Sequence, residues 1–80
     1  MYFRQRIINQ IKSASNTTEI DVLIEDFLQR MRMNNVNGHI IQRFILGMGV
    51  DIDREKTEKH PARAMSNLSY AIDLLKKLQN

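Results

Sequence analysis

Acidic side chains recur at short intervals in one stretch of the sequence, and this pattern raises the question of metal binding. The acids are Asp51, Asp53, Glu55 and Glu58. A calcium loop of the D-x-D-x-D-G type needs glycine at its sixth position and glutamate at its twelfth, where a loop begun at Asp51 has Lys56 and Ala62. Basic residues interleaved with the acids offset most of the negative charge: Arg54, Lys56 and Lys59. The sequence therefore predicts a solvated charged segment, with no metal ion and no cofactor.

Histidine is the second residue type that could perform chemistry here. His39 and His60 each lie near a predicted helix start, and neither has a cysteine or a second histidine close by in the sequence. The chain contains no cysteine, which excludes a thiol nucleophile, a thiolate metal site and a disulfide. A catalytic imidazole needs a nucleophile and an orienting group, and the spacing supplies neither. We therefore predict that the protein is not an enzyme and has no catalytic residue.

Arginines around an asparagine-rich turn are the best candidates for contacts with nucleic acid. Arg30, Arg32 and Arg43 flank the sequence NNVNG, and the net charge of +3 is mildly basic. A helix-turn-helix protein places a polar second helix in the major groove, whereas the segment HIIQRFILGM is mostly apolar. Arg30 and Arg32 also lie about 160° apart around a helix, so they form no phosphate-tracking stripe. A small basic nucleic-acid-associated regulatory protein is therefore the alternative prediction, not the leading one.

The element that organises the predicted fold is an amphipathic helix over about residues 18–33. Its apolar residues repeat at helical spacing and form one stripe: Ile20, Leu23, Ile24, Phe27, Leu28 and Met31. Asn16 followed by Glu19, or Thr18 followed by Asp21, would each form a capping box at its start. We expect the other helices to pack around this stripe.

Three further helices are predicted from the same periodicity, at about residues 2–14, 38–48 and 61–79. Gly47 and Gly49 are expected to end the third helix, and Pro61 is expected to begin the last. Residues 49–60 are then predicted to be a loop, with Val50 and Ile52 tucked against the core. The fold class predicted for residues 1–80 is all-α, as one small four-helix domain with an orthogonal or bundle-like arrangement.

Length and composition limit the functional class further. A chain of 80 residues has a small core, so pairing with a second copy would add buried apolar surface. No apolar run is long enough to span a bilayer, and the basic N-terminal stretch lacks the continuous apolar region of a signal peptide. We therefore expect a cytoplasmic protein with no membrane partner.

Apolar and basic residues on predicted polar faces are the remaining feature without a structural explanation. These candidate partner-binding residues are Val22, Met33, His39, Arg43, Leu46 and Tyr70. Single exposed apolar side chains are common, so each one alone is weak evidence, but together they indicate a protein-binding surface. The sequence thus favours a small non-enzymatic helical protein–protein interaction module, with a second copy of the chain, in a homodimer, as one candidate partner. No family resemblance was found in the sequence.

Overall fold

The computed structural model describes residues 3–79, with the Phe3 side chain outside that description, and these residues form four α-helices and no strand. The helices are α1 (Phe3–Ser13), α2 (Thr17–Met33), α3 (Gly38–Lys56) and α4 (Ala62–Leu78). The predicted all-α four-helix fold class is therefore confirmed. The predicted bounds of the first, second and fourth helices agree with the structure to within one residue wherever they fall on described residues. The helix start predicted at residue 2 lies outside them.

The ends of α2 are fixed by local hydrogen bonds that the sequence pattern largely predicts. Of the two capping boxes considered, the structure contains the one at Asn16, whose side-chain oxygen accepts from the Glu19 backbone N–H at 2.9 Å. The Glu19 carboxylate in turn accepts from the backbone N–H of Ser15 at 3.1 Å. At the other end, Asn35 adopts a left-handed conformation with φ of 58°, and the Val36 N–H bonds the Met31 carbonyl at 3.0 Å.

The third helix is longer than predicted: the predicted loop over residues 49–60 is wrong for residues 49–56, which are helical, and holds for residues 57–60. α3 continues through Gly47 and Gly49 to Lys56. The reason is that Met48 and Ile52, both fully buried, extend the core-facing row begun by Ile41 and Ile45. Burying two such side chains contributes about 3–6 kcal/mol, which exceeds the cost of about 1 kcal/mol for each helical glycine.

The central helix of the fold is α4, and not α2 as predicted. α4 packs against each of the other three helices and contacts α3 and α1 most extensively. Its wide apolar face explains this position. The apolar residues that face the core span roughly 160° of the helix, nearly half of its circumference, when the partly buried Leu74 is counted with the buried Ala64, Leu68, Ala71, Ile72 and Leu75. The predicted α2 stripe is still part of the core through Ile20, Ile24, Phe27 and Leu28, while Leu23 and Met31 are only partly buried.

One buried polar residue joins α4 to the end of α1. Asn67 is the single polar side chain among the buried residues that the structure describes, with 7% exposure. Its side-chain amide donates to the carbonyl oxygens of Ile11 and Ala14, both at 3.0 Å, and lies 3.4 Å from that of Lys12. The last carbonyls of a helix have no partner within the helix itself. Asn67 therefore caps the C-terminus of α1 from a different helix.

Candidate functional site: the outer face of the third helix

A row of exposed side chains follows the outer face of α3, directly opposite its core-facing row. We call this row the α3 stripe; its residues are His39, Arg43, Leu46, Val50 and Asp53, all of which are exposed. Their spacing of four, three, four and three residues places them within an arc of roughly 80° on the helix. The stripe therefore forms a single continuous surface about four turns long.

The centre of the α3 stripe is aliphatic. Leu46 and Val50 are one helical turn apart and are 53% and 55% exposed. Beside them, a shallow groove of about 150 Å³ separates α3 from α4, and its lining includes the buried α4 residues Ile72 and Leu75. Gly49 also lines this groove and adds no side chain to it. The exposed Leu46 and Val50 side chains thus border a groove that reaches buried residues of α4.

Residues of opposite charge flank the aliphatic centre of the stripe. Arg43 lies toward the N-terminus of α3 and Asp53 toward its C-terminus, with Leu46 and Val50 between them. Neither charged side chain forms a salt bridge within residues 4–79. Other acids of α3 do: the Asp51 carboxylate lies 3.0 Å from Arg4 Nε, and the Glu55 carboxylate lies 2.8 Å from Lys12 Nζ.

Three of the six predicted partner-binding residues lie together on the α3 stripe: His39, Arg43 and Leu46. The other three lie on other helices. Val22 is 59% exposed and lines a separate groove of about 470 Å³ between α1 and α2, and Met33 is 73% exposed in the last turn of α2.

Tyr70 is partly buried, and its hydroxyl donates to Asp21 Oδ1 at 2.7 Å. This hydrogen bond to a carboxylate, followed by desolvation, raises the pKa of the Tyr70 hydroxyl. The side chain therefore joins α4 to α2, a role for which the sequence offered no signal.

The arginines of the nucleic-acid alternative are distributed over two helices. Arg30 and Arg32 lie on α2, and Arg43 lies on α3. Arg30 Nε is 3.1 Å from Asp26 Oδ2 one turn earlier, so part of its charge is offset within the helix. The stripe that contains Arg43 also contains Asp53, whose charge would repel a phosphate backbone. The geometry therefore gives the nucleic-acid alternative less support than the interaction module.

A group of potential metal ligands lies at the C-terminal end of α3, where Glu55, Glu58 and His60 place ligand atoms within 4.8 Å of one another. Two of these residues already have partners. Glu55 is bonded to the Lys12 ammonium, and His60 Nε2 lies 2.9 Å from the Glu55 carbonyl oxygen. The hydrogen bond from Lys12 lowers the pKa of Glu55 against the opposing effect of desolvation, and the charge of Lys12 and of protonated His60 lowers it further. A cation entering the group would compete with Lys12 for the Glu55 carboxylate, and the observed ion pair holds α3 against α1.

The residues that the sequence did not reveal as site residues are Val50 and Asp53. Val50 was expected to be tucked inward, but more than half of its side chain is exposed, while Ile52 is buried as predicted. The signal was present in the sequence, because Val50 and Asp53 continue the spacing of His39, Arg43 and Leu46. It was lost because the third helix was assumed to end at the glycines.

Comparisons with known proteins add no functional information. No protein-family model matches this chain, and neither curated proteins nor solved structures gave a match. Among the residues that the structure describes, no helix is long and apolar enough to cross a membrane.

Proposed function

We propose that this protein is a small non-enzymatic helical module that binds another protein chain through the α3 stripe. The observation that carries the proposal is the pair Leu46 and Val50, which are large, adjacent and more than half exposed on the outer face of α3. Complete burial of such a side chain contributes roughly 1.5–3 kcal/mol, so about half of that gain is still available at each one. A partner surface that covers the stripe would gain this remaining free energy of burial.

The shape of the site supports binding to a helix in particular. The four-three spacing of the stripe is the spacing by which one helix packs its side chains between those of another. The groove beside the stripe, with Ile72 and Leu75 in its lining, offers space for a side chain of a partner. Charged residues at both ends provide a polar rim, which is typical of protein interfaces.

The chemistry of the chain supports a binding role over catalysis. The sequence has no cysteine, and within residues 4–79 no hydroxyl group is hydrogen-bonded to either histidine ring. The lack of cysteine also suits a reducing compartment, and the cytoplasm is therefore the proposed location. The alternative, a nucleic-acid-associated regulator, predicts binding that weakens steeply as the salt concentration rises and that is lost when Arg30, Arg32 and Arg43 are together replaced by alanine.

The proposal is tested by adding charge to the centre of the stripe. The double variant Leu46→Glu with Val50→Glu should lose the protein partner of the wild type, whether this is a heterologous protein found by affinity purification or a second copy found by sedimentation. Ile40→Glu is the matched control, because Ile40 is an equally exposed aliphatic residue of α3 that is not part of the stripe. Nuclease treatment of the lysate removes partners retained only through nucleic acid.

Two results would contradict the proposal. One is a double variant that folds normally by circular dichroism and retains every partner of the wild type. The other is a wild-type protein that sediments as a monomer and also yields no purified partner.

A further inference from the structure

We propose that the α3 stripe binds the α3 stripe of a second copy of this chain. The two helices pack antiparallel, and the two-fold axis crosses the outer face of α3 at the level of residue 48. This inference rests on the proposed function and names its partner. Its basis is that the four stripe residues after His39 are symmetric about residue 48 in position and antisymmetric in charge. Leu46 and Val50 lie two residues before and after that point, and Arg43 and Asp53 lie five residues before and after it.

An antiparallel arrangement matches each of these four stripe residues with a suitable counterpart. In such a pair, Leu46 faces Val50 of the second copy, and Arg43 faces Asp53 of the second copy. Two-fold symmetry repeats both contacts, which is the self-complementary arrangement that a homodimer requires. The interface would therefore contain four aliphatic side chains at its centre and two ion pairs at its ends.

The charges also determine the direction of the pair. In a parallel arrangement Arg43 would face Arg43 of the second copy, and Asp53 would face Asp53, which gives two repulsive contacts. Arg43 and Asp53 are the stripe's charged residues, and both lack a salt bridge in the described part of the chain, so both are available for contacts across the interface. Charge complementarity of this kind sets register and orientation more than it sets affinity.

The dimensions of the molecule are sufficient for such an interface. α3 has 19 residues and is therefore about 28 Å long, compared with 37 Å for the longest dimension of the molecule. A standard interface covers about 800 Å² on each partner, roughly one-seventh of the 5620 Å² surface of this chain. The stripe alone is narrower than this. The lining of the adjacent groove, including Ile72 and Lys76 on α4, would supply additional contacts.

The test uses charge reversal followed by mixing, monitored by sedimentation equilibrium at about 10 to 500 µM, a range that brackets micromolar affinity. The wild type should show a monomer–dimer equilibrium. Arg43→Asp places two acids opposite each other at both ends, and Asp53→Arg places two bases there, so each variant alone should dimerise at least about tenfold more weakly. A mixture of the two variants should form a heterodimer at least as tight as the wild-type dimer, because every contact at the ends is then between opposite charges.

Control variants separate this mechanism from a general effect of net charge. Arg32→Asp and Asp73→Arg change the charge by the same amounts on α2 and α4, at exposed positions outside the stripe. Each control variant should have a dimer dissociation constant within about twofold of the wild-type value, and a mixture of the two should show no preference for the heterodimer. Circular dichroism is used to check that all four variants remain folded.

The outcomes distinguish this inference from the proposed function. A wild type that is monomeric at the highest concentration overturns the dimer; if it still binds a heterologous protein through Leu46 and Val50, the proposed function stands. A dimer that is unaffected by Arg43→Asp and Asp53→Arg, or a mixture that stays monomeric, overturns the antiparallel α3 arrangement. Only weakened single variants with recovery in the mixture support it.

Discussion

The buried Asn67 amide allows the strongest test of the fold, because a single isosteric change reverses its role. Asn67→Asp replaces the donor NH₂ by an oxygen that faces the carbonyl oxygens of Ile11, Lys12 and Ala14. The shape of the side chain is preserved, so a change in stability reports the hydrogen bonds and the added charge and not the packing. Asn67→Ala is the companion variant, in which the donor is removed without a new charge.

The size of the effect follows from which carbonyl oxygens lose their partner. The Ile11 carbonyl also accepts from the Ala14 N–H at 3.2 Å and keeps that bond, whereas within residues 4–79 the buried Ala14 carbonyl accepts no hydrogen bond other than that of Asn67. Net loss of a hydrogen bond costs about 1 kcal/mol, and a buried acceptor left unpaired costs about 1–3 kcal/mol. Asn67→Ala should therefore lower the free energy of unfolding by about 2–4 kcal/mol, which is a large fraction of the 5–15 kcal/mol typical of small domains.

Asn67→Asp should cost at least as much at neutral pH, because its carboxylate is both buried and repelled. Burial and the carbonyl dipoles raise the pKa of that carboxyl above its unfolded value, so the penalty applies at high pH and shrinks as the pH falls and the group is protonated. The measurement is urea denaturation followed by circular dichroism at several pH values, at one low protein concentration. Ser66→Ala, at the neighbouring exposed position, is the control and should stay within about 0.5 kcal/mol of the wild type. If Asn67→Asp matches Ser66→Ala at neutral pH, the proposed capping of α1 is wrong.

Three further substitutions test other parts of the fold. Phe27→Ala should cost about 3–5 kcal/mol, since the ring is 3% exposed, and a near-neutral value in denaturation would contradict its place in the core. Gly49→Ala should raise stability by about 0.5–1 kcal/mol, because an added Cβ would meet nothing closer than 4.0 Å; a loss of stability would argue against a continuous α3. Lys12 keeps the pKa of Glu55 below its ordinary value of 4.5, so their ion pair stabilises the fold above that pH and is lost as the pH falls through the lowered pKa. Lys12→Met should accordingly lower the melting temperature at neutral pH and approach the wild type in acid, whereas a constant difference across the pH range would refute the coupling.

Much of the fold was predictable because its determinants are local. The helical period of the apolar residues in α2 and α4 is independent of what these helices pack against. Asn16 caps α2 through a hydrogen bond to Glu19, a residue only three positions further along the chain. The same holds for Leu46, whose position on the outer face followed from helical spacing alone. Such features depend on nearest neighbours along the chain, so the sequence specifies them directly.

The length of α3 was not predictable from local propensity, because the deciding energy is tertiary. Gly47 and Gly49 favour a helix end, but burial of Met48 and Ile52 against the other helices outweighs that preference. The error had a direct consequence for the candidate site, since ending the helix at residue 48 separated Leu46 from Val50 and Asp53.

The amino-acid sequence by itself determined the all-α class, three of the four helices and three of the five stripe residues, because helical periodicity and capping depend on residues close together in the sequence. Only the tertiary structure made α4 the central helix, placed Asn67 under the end of α1 and joined Tyr70 to Asp21. Those contacts link residues about 50 positions apart, and such distant pairs are chosen by how the apolar faces fit together, which no local pattern encodes.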